Sequence, residues 1–253
     1  MTRYRQFCPI AKGAEIFAER WTPLILREML CGSHRFAEIQ RGIPRISQSL
    51  LATRLRSLER EGIIERRPAR DGHGFEYHLT PAGRELGTVV ELLGGWGYRW
   101  ALGRLRAEDL DPPSVLWFLH RYIRVERLPA ETVVVRVDLR DDPLHAWWLI
   151  LRRTGVELCF RDEGFSVDLW VTADAPTLAA IILGELEPRA AMRSGRLQVD
   201  GPRPLVRQFP DWLGVTQFTR YGRPGEIDHL LDPGIAWAAL ASPDAGPAVP
   251  EQP

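Results

Sequence analysis

Lysine is almost absent from this 253-residue chain, because Lys12 is its single lysine and every other basic side chain is an arginine. Cysteine is scarce too. The three cysteines, Cys8, Cys31 and Cys159, form no CxxC pair, which excludes a disulfide scaffold and favours a reducing cytoplasmic compartment. No uncharged apolar run approaches the roughly 20 residues that a membrane helix needs. We therefore expect a soluble cytoplasmic protein without a membrane partner.

Motifs that carry catalysis or hold a cofactor are also missing. The sequence has no glycine-rich phosphate loop, no GxSxG elbow and no Cys/His pair in a catalytic context. Its six histidines are scattered and lack the spacing of metal ligands. We expect no enzyme activity, no cofactor and no metal site.

Charge is divided unequally along the chain although the formal net charge is zero. Residues 1–106 contain 18 Lys and Arg against 11 Asp and Glu, whereas residues 107–253 contain 15 against 22. A basic N-terminal part fits a polyanionic partner such as DNA. The acidic remainder should face away from that partner.

One amphipathic helix is predicted directly after Ile46. Ser47 can cap it, three leucines recur at helical spacing, and Gly62 supplies a left-handed stop. The opposite face has small or hydrogen-bonding residues near the N-terminus and arginines further along. A helix that enters the major groove needs slim side chains near base edges and guanidinium groups near guanine or phosphate.

A charged hairpin follows this helix. Residues 64–67 and 75–79 read as short strands around a turn-rich segment, and Thr80-Pro81 predicts the start of another helix. Shorter helices are predicted upstream over 22–31 and 36–41. Helices, a two-stranded wing and a long final helix together describe a winged helix-turn-helix.

These residues resemble the HxlR-type transcriptional regulators, which are MarR-like winged-helix proteins. The resemblance covers roughly residues 7 to 100. It rests on Cys8-Pro9, Arg20-Trp21-Thr22, Leu26-Arg27-Glu28, Arg35-Phe36, Ile43-Pro44 with Ile46-Ser47, Leu55 to Glu59 with Gly62-Ile63, and Tyr77 to Pro81. It implies a homodimer, built from the first helix and the helix after the wing, that binds a pseudo-palindromic operator.

We predict that DNA is contacted from the helix, from its N-terminal side and from the wing. Arg45 departs from the family, which usually has glycine before Ile-Ser, and adds a positive charge beside the helix N-terminus. The predicted DNA-binding residues are Arg35, Arg45, Ser47, Gln48, Ser49, Thr53, Arg56, Arg66, Arg67 and Arg70.

A second domain is predicted after Asp111-Pro112-Pro113, which breaks the preceding pattern. A helix is expected over 114–126, then strands over 132–138, 145–152, 155–160 and 166–172, helices over 175–183 and 188–194, a strand over 197–199, and an amphipathic segment over 204–213. Strands followed by helices favour an α+β fold in which helices cover a mostly antiparallel sheet.

Residues 167–213 resemble the second half of a sterol carrier protein type 2-like domain. The resemblance rests on Thr172-Ala173-Asp174, Leu183 to Leu186, Ala190 to Gly195 and Leu197 to Gly201, and it implies an apolar tunnel for hydrophobic ligands. A ligand cavity would lie under the helices, on the aliphatic face of the sheet. The candidate ligand residues are Phe160, Leu169, Ile182, Met192 and Phe209, and a filled core is the alternative there.

The other face of this sheet mixes charged residues with Trp148, Cys159 and Trp170, which favours docking against another domain or subunit.

At the other end of the chain, Cys8 precedes a predicted helix. A helix N-terminus favours the thiolate, so Cys8 is a candidate redox or electrophile sensor; the alternative is a small apolar residue in the dimer interface.

The predicted organisation is a winged helix-turn-helix DNA-binding and dimerisation domain over 1–106, a linker over 107–113, a sterol carrier-like domain over 114–220, and an extension over 221–253 that is disordered from about residue 242. We expect a transcriptional regulator whose second domain senses a hydrophobic effector. The alternatives are constitutive DNA binding with an architectural, interaction or carrier module, and redox sensing at Cys8.

Overall fold

The structure, a computed structural model, describes residues 4–69, 71–162 and 164–222. Side chains at positions 104, 143 and 144 are not described. The segment predicted to be disordered from about residue 242 lies outside the described residues, as does Arg70 of the predicted wing. Within the described part, no helix combines the length and the apolar character needed to cross a bilayer.

The N-terminal domain has the predicted winged helix-turn-helix order. Its elements are α1 (Pro9–Phe17), α2 (Thr22–Leu30), α3 (Phe36–Gly42), α4 (Gln48–Arg60), β1 (Ile64–Pro68), β2 (Phe75–Leu79) and α5 (Pro81–Trp100). The two wing strands pair antiparallel, with Ile64 opposite Leu79 and Pro68 opposite Phe75.

Local chemistry places the ends of α4 and α5 where the sequence predicts them. The Ser47 hydroxyl accepts a hydrogen bond from the Leu50 N–H at the start of α4, and Gly62 after its end has φ +69°, a backbone conformation that favours glycine. Thr80 accepts from the Gly83 N–H, and Pro81 occupies the first turn of α5.

A compact apolar core holds these helices against the wing. Its fully buried members come from α2, α3, the turn before α4, α4 itself and the start of β1: Ile25, Leu26, Ile39, Ile46, Leu51, Leu55 and Ile64. Because Leu51 and Leu55 face this core, the opposite side of α4 is left at the surface.

The C-terminal domain is an α+β layer, which confirms the predicted fold class. Its elements are α6 (Pro112–Arg121), β3 (Val133–Leu139), β4 (Asp142–Arg152), β5 (Gly155–Cys159), β6 (Leu169–Ala173), α7 (Ala175–Ile182), α8 (Pro188–Arg193), β7 (Gln198–Asp200) and α9 (Arg203–Trp212). The strand order is β5-β4-β3-β6-β7, and only β3 and β6 run parallel among these neighbours.

The helix that opens this domain begins and ends earlier than the predicted range 114–126. The Asp111 carboxylate accepts the Ser114 N–H, and Pro112 and Pro113 fill the first turn of α6, where a missing N–H costs nothing. From the sequence these prolines are expected to break the preceding pattern, whereas in the structure they begin the helix. Helix α6 ends at Arg121, and a separate 3-10 turn follows over Val125–Arg127.

The core of the C-terminal domain lies between one sheet face and the helices. Alternate residues of β3 and β4 point into it, including Val135, Val137, Leu149 and Leu151, and they meet α6, α7 and α9. Phe209 and Trp212 of α9 contact each other edge-to-face, with ring centroids 5.7 Å apart.

A C-terminal 3-10 helix, Gln217–Tyr221, attaches this domain to α5 and is not predicted from the sequence. Gly94 and Gly95 of α5 make room for it. A Cβ at Gly94 would lie 2.3 Å from Phe218, and one at Gly95 would lie 2.8 Å from Tyr221. The Tyr98 hydroxyl of α5 also donates to the Leu183 carbonyl across 2.8 Å, so α5 contacts the second domain at several points.

Candidate DNA-binding surface and interdomain pocket

The surface of α4 carries most of the predicted groove-facing residues together. Ser47, Gln48, Ser49, Thr53 and Arg56 are all exposed. The Thr53 hydroxyl donates to the Ser49 carbonyl across 2.8 Å, and Arg56 Nη2 lies 3.3 Å from the same hydroxyl. This chain of contacts aligns the Arg56 guanidinium along the exposed face of the helix.

Arginines of the predicted DNA surface make contacts within the protein. Arg35 pairs with Asp71 across 2.6 Å at the wing, and this hydrogen bond raises the Arg35 pKa above its usual value. Arg67 pairs with Glu65, whereas the Arg66 guanidinium lies over the Phe75 ring, 4.2 Å from its centroid. These exposed pairs are weak, so phosphate oxygens can replace the carboxylates at modest cost.

Arg45 differs from the other predicted DNA-binding arginines because it contacts the segment after α5. It is exposed, and its Nη2 donates to the carbonyl of Glu108, in the 3-10 turn Ala107–Asp109 beyond α5. A role in DNA binding therefore requires Arg45 to leave Glu108. The structure does not describe Arg70, so that predicted contact stays a prediction.

The structure does not bring the five predicted ligand residues together around a cavity. Leu169 and Phe209 are fully buried in the filled core of the C-terminal domain, and Met192 packs against that core. Phe160 is 42% exposed and lies beneath the guanidinium of Arg41 in the N-terminal domain. Among the five, only Ile182 lines the pocket described next.

A pocket of about 960 Å³ lies at the junction of the two domains. Its walls come from α2, the C-terminal half of α5, α6, α7 and the segment 216–218. Most of the lining is apolar, and the largest apolar contributors are Leu102, Leu105, Phe118, Ile182, Leu183 and Phe218. This volume lies within the range of small-molecule sites.

A buried polar cluster borders this pocket and joins α2 to α6. Its centre is the carboxylate of Glu28, which has 0% exposure and accepts from Trp117 Nε1 at 3.0 Å and Arg121 Nη2 at 2.6 Å. Arg27 donates to the other oxygen at 2.8 Å. We call Arg27, Glu28, Ser33, Trp117 and Arg121 the Glu28 cluster.

The backbone around Gly42 is shaped to receive this carboxylate. The Gly42 carbonyl accepts from Arg27 Nη2 at 2.9 Å, and a Cβ at Gly42 would lie only 1.9 Å from Glu28 Oε2. Only glycine leaves that space at the end of α3. The cluster therefore connects α2, α3 and α6, and α3 and α4 form the helix-turn-helix.

His120 lies beside the Glu28 cluster on α6 and also lines the pocket. Burial, reinforced by the positive charge of Arg121, lowers the pKa of His120 from 6.5 to about 4. Its ring contacts Trp117, with centroids 4.6 Å apart. His120 is therefore neutral at physiological pH.

Cys8 occupies the position that the sequence predicts, directly before α1, and is partly exposed. Its carbonyl accepts the Lys12 N–H at 3.1 Å, and its role as a sensor stays a prediction. The pocket and the Glu28 cluster are not predicted from the sequence. Glu28 and Arg121 are 93 positions apart, and no local pattern indicates that they meet.

Exposed apolar side chains are concentrated on α1, with Phe7 just before it, and on α5; together we call them the apolar surface of α1 and α5. Phe7 is 98% exposed and Trp96 is 55% exposed. Other exposed apolar side chains on the same two helices are Ile10, Val89, Leu92, Leu93 and Trp100. A surface of this kind on a folded domain is typical of a protein interface.

The other face of the C-terminal sheet contains a row of side chains that crosses its five strands. From β5 to β7 the register aligns Cys159, Trp148, Arg136, Trp170 and Asp200. The Arg136 guanidinium lies 5.7 Å from the Trp148 ring centroid, and Trp170 is exposed. Docking at this face stays a prediction.

Comparison with known proteins places each domain. Residues 16–104 match the HxlR-like helix-turn-helix family, and residues 124–213 match the SCP-2 sterol transfer family. An uncharacterized HTH-type transcriptional regulator of Bacillus subtilis, YvaP, is 35% identical over 101 residues, which cover 38% of this chain and 90% of YvaP.

Two further proteins are similar to part of this chain. The uncharacterized HTH-type transcriptional regulator YtfH of Escherichia coli is 34% identical over 95 residues, which cover 37% of this chain and 75% of YtfH. The solved structure of the reduced form of the transcriptional regulator YodB from B. subtilis shares 33% identity, covers 39% of this chain and 98% of that chain, and has a TM-score of 0.34. Both predicted resemblances are thus confirmed, and the chain belongs to the HxlR-like helix-turn-helix family of transcriptional regulators.

Proposed function

We propose that this protein is a homodimeric, operator-binding regulator whose affinity for DNA is set by a hydrophobic small molecule in the interdomain pocket. Helix α4 enters the major groove with Ser47 to Arg56, and the wing arginines lie along the phosphate backbone. The acidic C-terminal part faces away from DNA. The exposed apolar surface of α1 and α5 forms the dimer interface.

The pocket is the observation that carries the effector role. Its apolar walls come from both domains, so a bound molecule contacts α5 of the DNA-binding domain and α6 and α7 of the other domain at once. A ligand that binds one arrangement of these helices more tightly increases the fraction of protein molecules in that arrangement. Because α5 also carries the dimer surface, that shift alters the separation of the two recognition helices.

This placement differs from the tunnel that the sterol carrier resemblance implies. The core beneath the C-terminal helices is filled by buried side chains such as Leu169, Phe209 and Trp212. The proposed site therefore lies outside that core, between the domains. Sensing at this site requires the full chain.

The experiment begins with capture of genomic DNA fragments by the full-length protein, followed by footprinting. We expect two protected half-sites about one helical turn, roughly 34 Å, apart. The recovered operator then serves in fluorescence anisotropy with a library of apolar small molecules. At least one compound should change operator affinity about fivefold or more.

Two outcomes would contradict parts of this proposal. Uniform recovery of DNA without enriched fragments would exclude sequence-specific regulation. An operator affinity that no compound alters would favour constitutive DNA binding, with the C-terminal domain as an architectural module.

A further inference from the structure

The interdomain pocket leaves apolar side chains in contact with water. Leu105 on its wall is 42% exposed. The rings of Phe118 and Phe218 belong to the same lining and are partly exposed. Because apolar surface in water is unfavourable, an apolar occupant that covers these side chains gains free energy from the area that it removes from water.

The described chain ends next to this pocket. Gln217 and Phe218 line it, and Gly222 is the last described residue. Between them, Tyr221 lies against α5, where a Cβ at Gly95 would be 2.8 Å from its ring. Helix α5 itself forms part of the pocket wall. The residues that follow Gly222 therefore begin beside the pocket.

The sequence beyond Gly222 contains one long apolar stretch. Residues 235–241 read Ile-Ala-Trp-Ala-Ala-Leu-Ala, seven consecutive residues without a charge. The stretch before it, 223–234, contains four charged residues, and the stretch after it, 242–253, contains four prolines. We call residues 235–241 the tail segment. Trp237 gives it the large apolar contact area that an anchor in a pocket needs.

The tail segment is close enough along the chain to reach the pocket. Twelve residues separate it from Gly222. Since an extended chain spans at most about 3.3 to 3.6 Å per residue, this connection covers distances up to about 40 Å. A segment tethered by a connection of this length is presented to a nearby site at an effective concentration on the order of millimolar. Contacts too weak to hold a free peptide therefore hold a tethered one.

We propose that the tail segment occupies the interdomain pocket of its own chain, with the Trp237 ring against the apolar wall that includes Leu105 and Phe118. The apolar surface of α1 and α5 is assigned to the second copy of the chain, whereas the pocket adjoins the point where the described chain ends. The inference rests on the proposed function in one respect, because an effector that enters the same pocket has to displace the tail segment.

Three native cysteines mark the three surfaces that the tail segment could contact. Cys31 is exposed and lines the pocket. Cys8 lies directly before α1, beside the apolar surface of α1 and α5, and Cys159 lies in the row on the outer face of the C-terminal sheet. A disulfide forms only when the two Cα atoms lie within about 7 Å of each other. A cysteine introduced into the tail segment therefore reports its position by the native cysteine with which it pairs.

The test uses full-length Ala236→Cys and Ala238→Cys, made singly on either side of Trp237, and oxidises them with copper phenanthroline. Mass spectrometry of peptides maps the disulfides, and a non-reducing gel separates bonds within one chain from bonds between chains. Ala248→Cys, beyond the tail segment, is the matched control. We expect at least one of the two variants to pair with Cys31 of the same chain about tenfold or more faster than the control, because docking holds the thiols close together.

A second variant tests the anchor without an added cysteine. Trp237→Asp places a charge where the pocket is apolar, so it should release the tail segment and expose Cys31. Alkylation of Cys31 by iodoacetamide should become about tenfold faster or more, since an aromatic anchor carries much of the binding energy of an interface. Val249→Asp is the control and should leave this rate unchanged. Cys8 should react equally fast in all three proteins.

The outcomes separate this proposal from the proposed function. Pairing with Cys8, with Cys159 or with Cys31 of a second chain would overturn the docking of the tail segment in its own pocket, as would equal rates for both tail-segment variants and the control. A library compound that alters operator affinity would still support the effector role in that case. Pairing with Cys31 together with an operator affinity that no compound alters would support the docking and overturn the effector role.

Discussion

Arg121 of α6 donates a hydrogen bond from Nη2 to Oε2 of Glu28 in α2, and the two atoms lie 2.6 Å apart. This contact joins the sterol carrier-like domain to the helix-turn-helix domain through a carboxylate that solvent does not reach. Trp117, one helical turn earlier on α6, donates to the same oxygen across 3.0 Å. The two domains are therefore joined by charge as well as by apolar packing.

Removing the Glu28 charge should destabilise the protein strongly. Glu28→Gln leaves two guanidinium groups without their anion, and breaking a buried ion pair costs about 3 to 5 kcal/mol. The free energy of unfolding from urea titrations measures this loss. Glu157→Gln is the matched control, because Glu157 pairs with Arg152 at 2.5 Å and its side chain is 60% exposed. The control should cost about 1 kcal/mol or less. Equal losses in the two variants would contradict the role of the cluster.

Stability should depend on His120 in mildly acidic solution. Since the pKa of His120 is about 4 in the folded protein against 6.5 for the unperturbed side chain, the unfolded state binds more protons between those pH values. Stability contributed by the neutral ring is therefore lost as pH falls from 6.5, by up to about 1.4 kcal/mol per pH unit. Carboxylates contribute below about pH 5 in every variant, so the comparison between variants carries the result.

His120→Gln should flatten this pH dependence, whereas His73→Gln, at an exposed position of the wing, should not. Urea unfolding between pH 5 and 7 measures both variants beside the unaltered protein. Parallel curves for all three proteins would show that His120 is not protonated on unfolding.

Two arginines of the DNA surface should differ in what they contribute. Arg56 lies on the exposed face of α4, so Arg56→Ala should weaken operator binding by about 1 to 3 kcal/mol and relax preference at one base pair. Arg67 lies on the wing, so Arg67→Ala should weaken binding to all sequences alike and reduce the salt slope by about one unit. Anisotropy titrations with operator and random DNA at several salt concentrations measure both. Unchanged binding in both variants would exclude the proposed docking of the winged helix.

Two matched substitutions can decide whether the dimer forms through the apolar surface of α1 and α5 or through the outer face of the C-terminal sheet. Trp96→Glu places a charge within the apolar surface of α1 and α5 and should give a monomer at micromolar concentration in sedimentation experiments. Trp170→Glu places the same charge on the outer face of the C-terminal sheet and should leave the dimer intact. Reversal of the two results would assign dimerisation to the Trp148 and Trp170 face.

The sequence predicts the helix-turn-helix domain well because its signals are local. A capping serine, leucines at helical spacing and a glycine stop define α4, and all three act within a few residues. The prediction at Pro112 and Pro113 is wrong. They read as a chain break, but with Asp111 as the cap they begin α6.

The pocket could not be predicted because it depends on how the domains meet. Gly94 and Gly95 look like weak points of a helix in the sequence, yet they receive the rings of Phe218 and Tyr221. Phe160 shows how alternation in a strand can mislead. It follows the aliphatic positions of β5, but it lies just past the end of the strand and contacts Arg41 of the other domain.

Operator affinity with a blocked pocket tests the central claim most directly. Gly97 of α5 lines the pocket, and a Cβ built there meets nothing within 4 Å. Gly97→Leu therefore places a side chain in the cavity. Gly97→Ala is the control, because it raises the helix propensity of α5 in the same way without filling the cavity. Neither substitution lies in α4. The measurement is operator affinity of each full-length protein with and without a compound that the library screen shows to alter it. The account predicts that this compound changes the affinity of the unaltered protein and of Gly97→Ala, and that Gly97→Leu binds operator normally but does not respond. An identical response in all three proteins would contradict it.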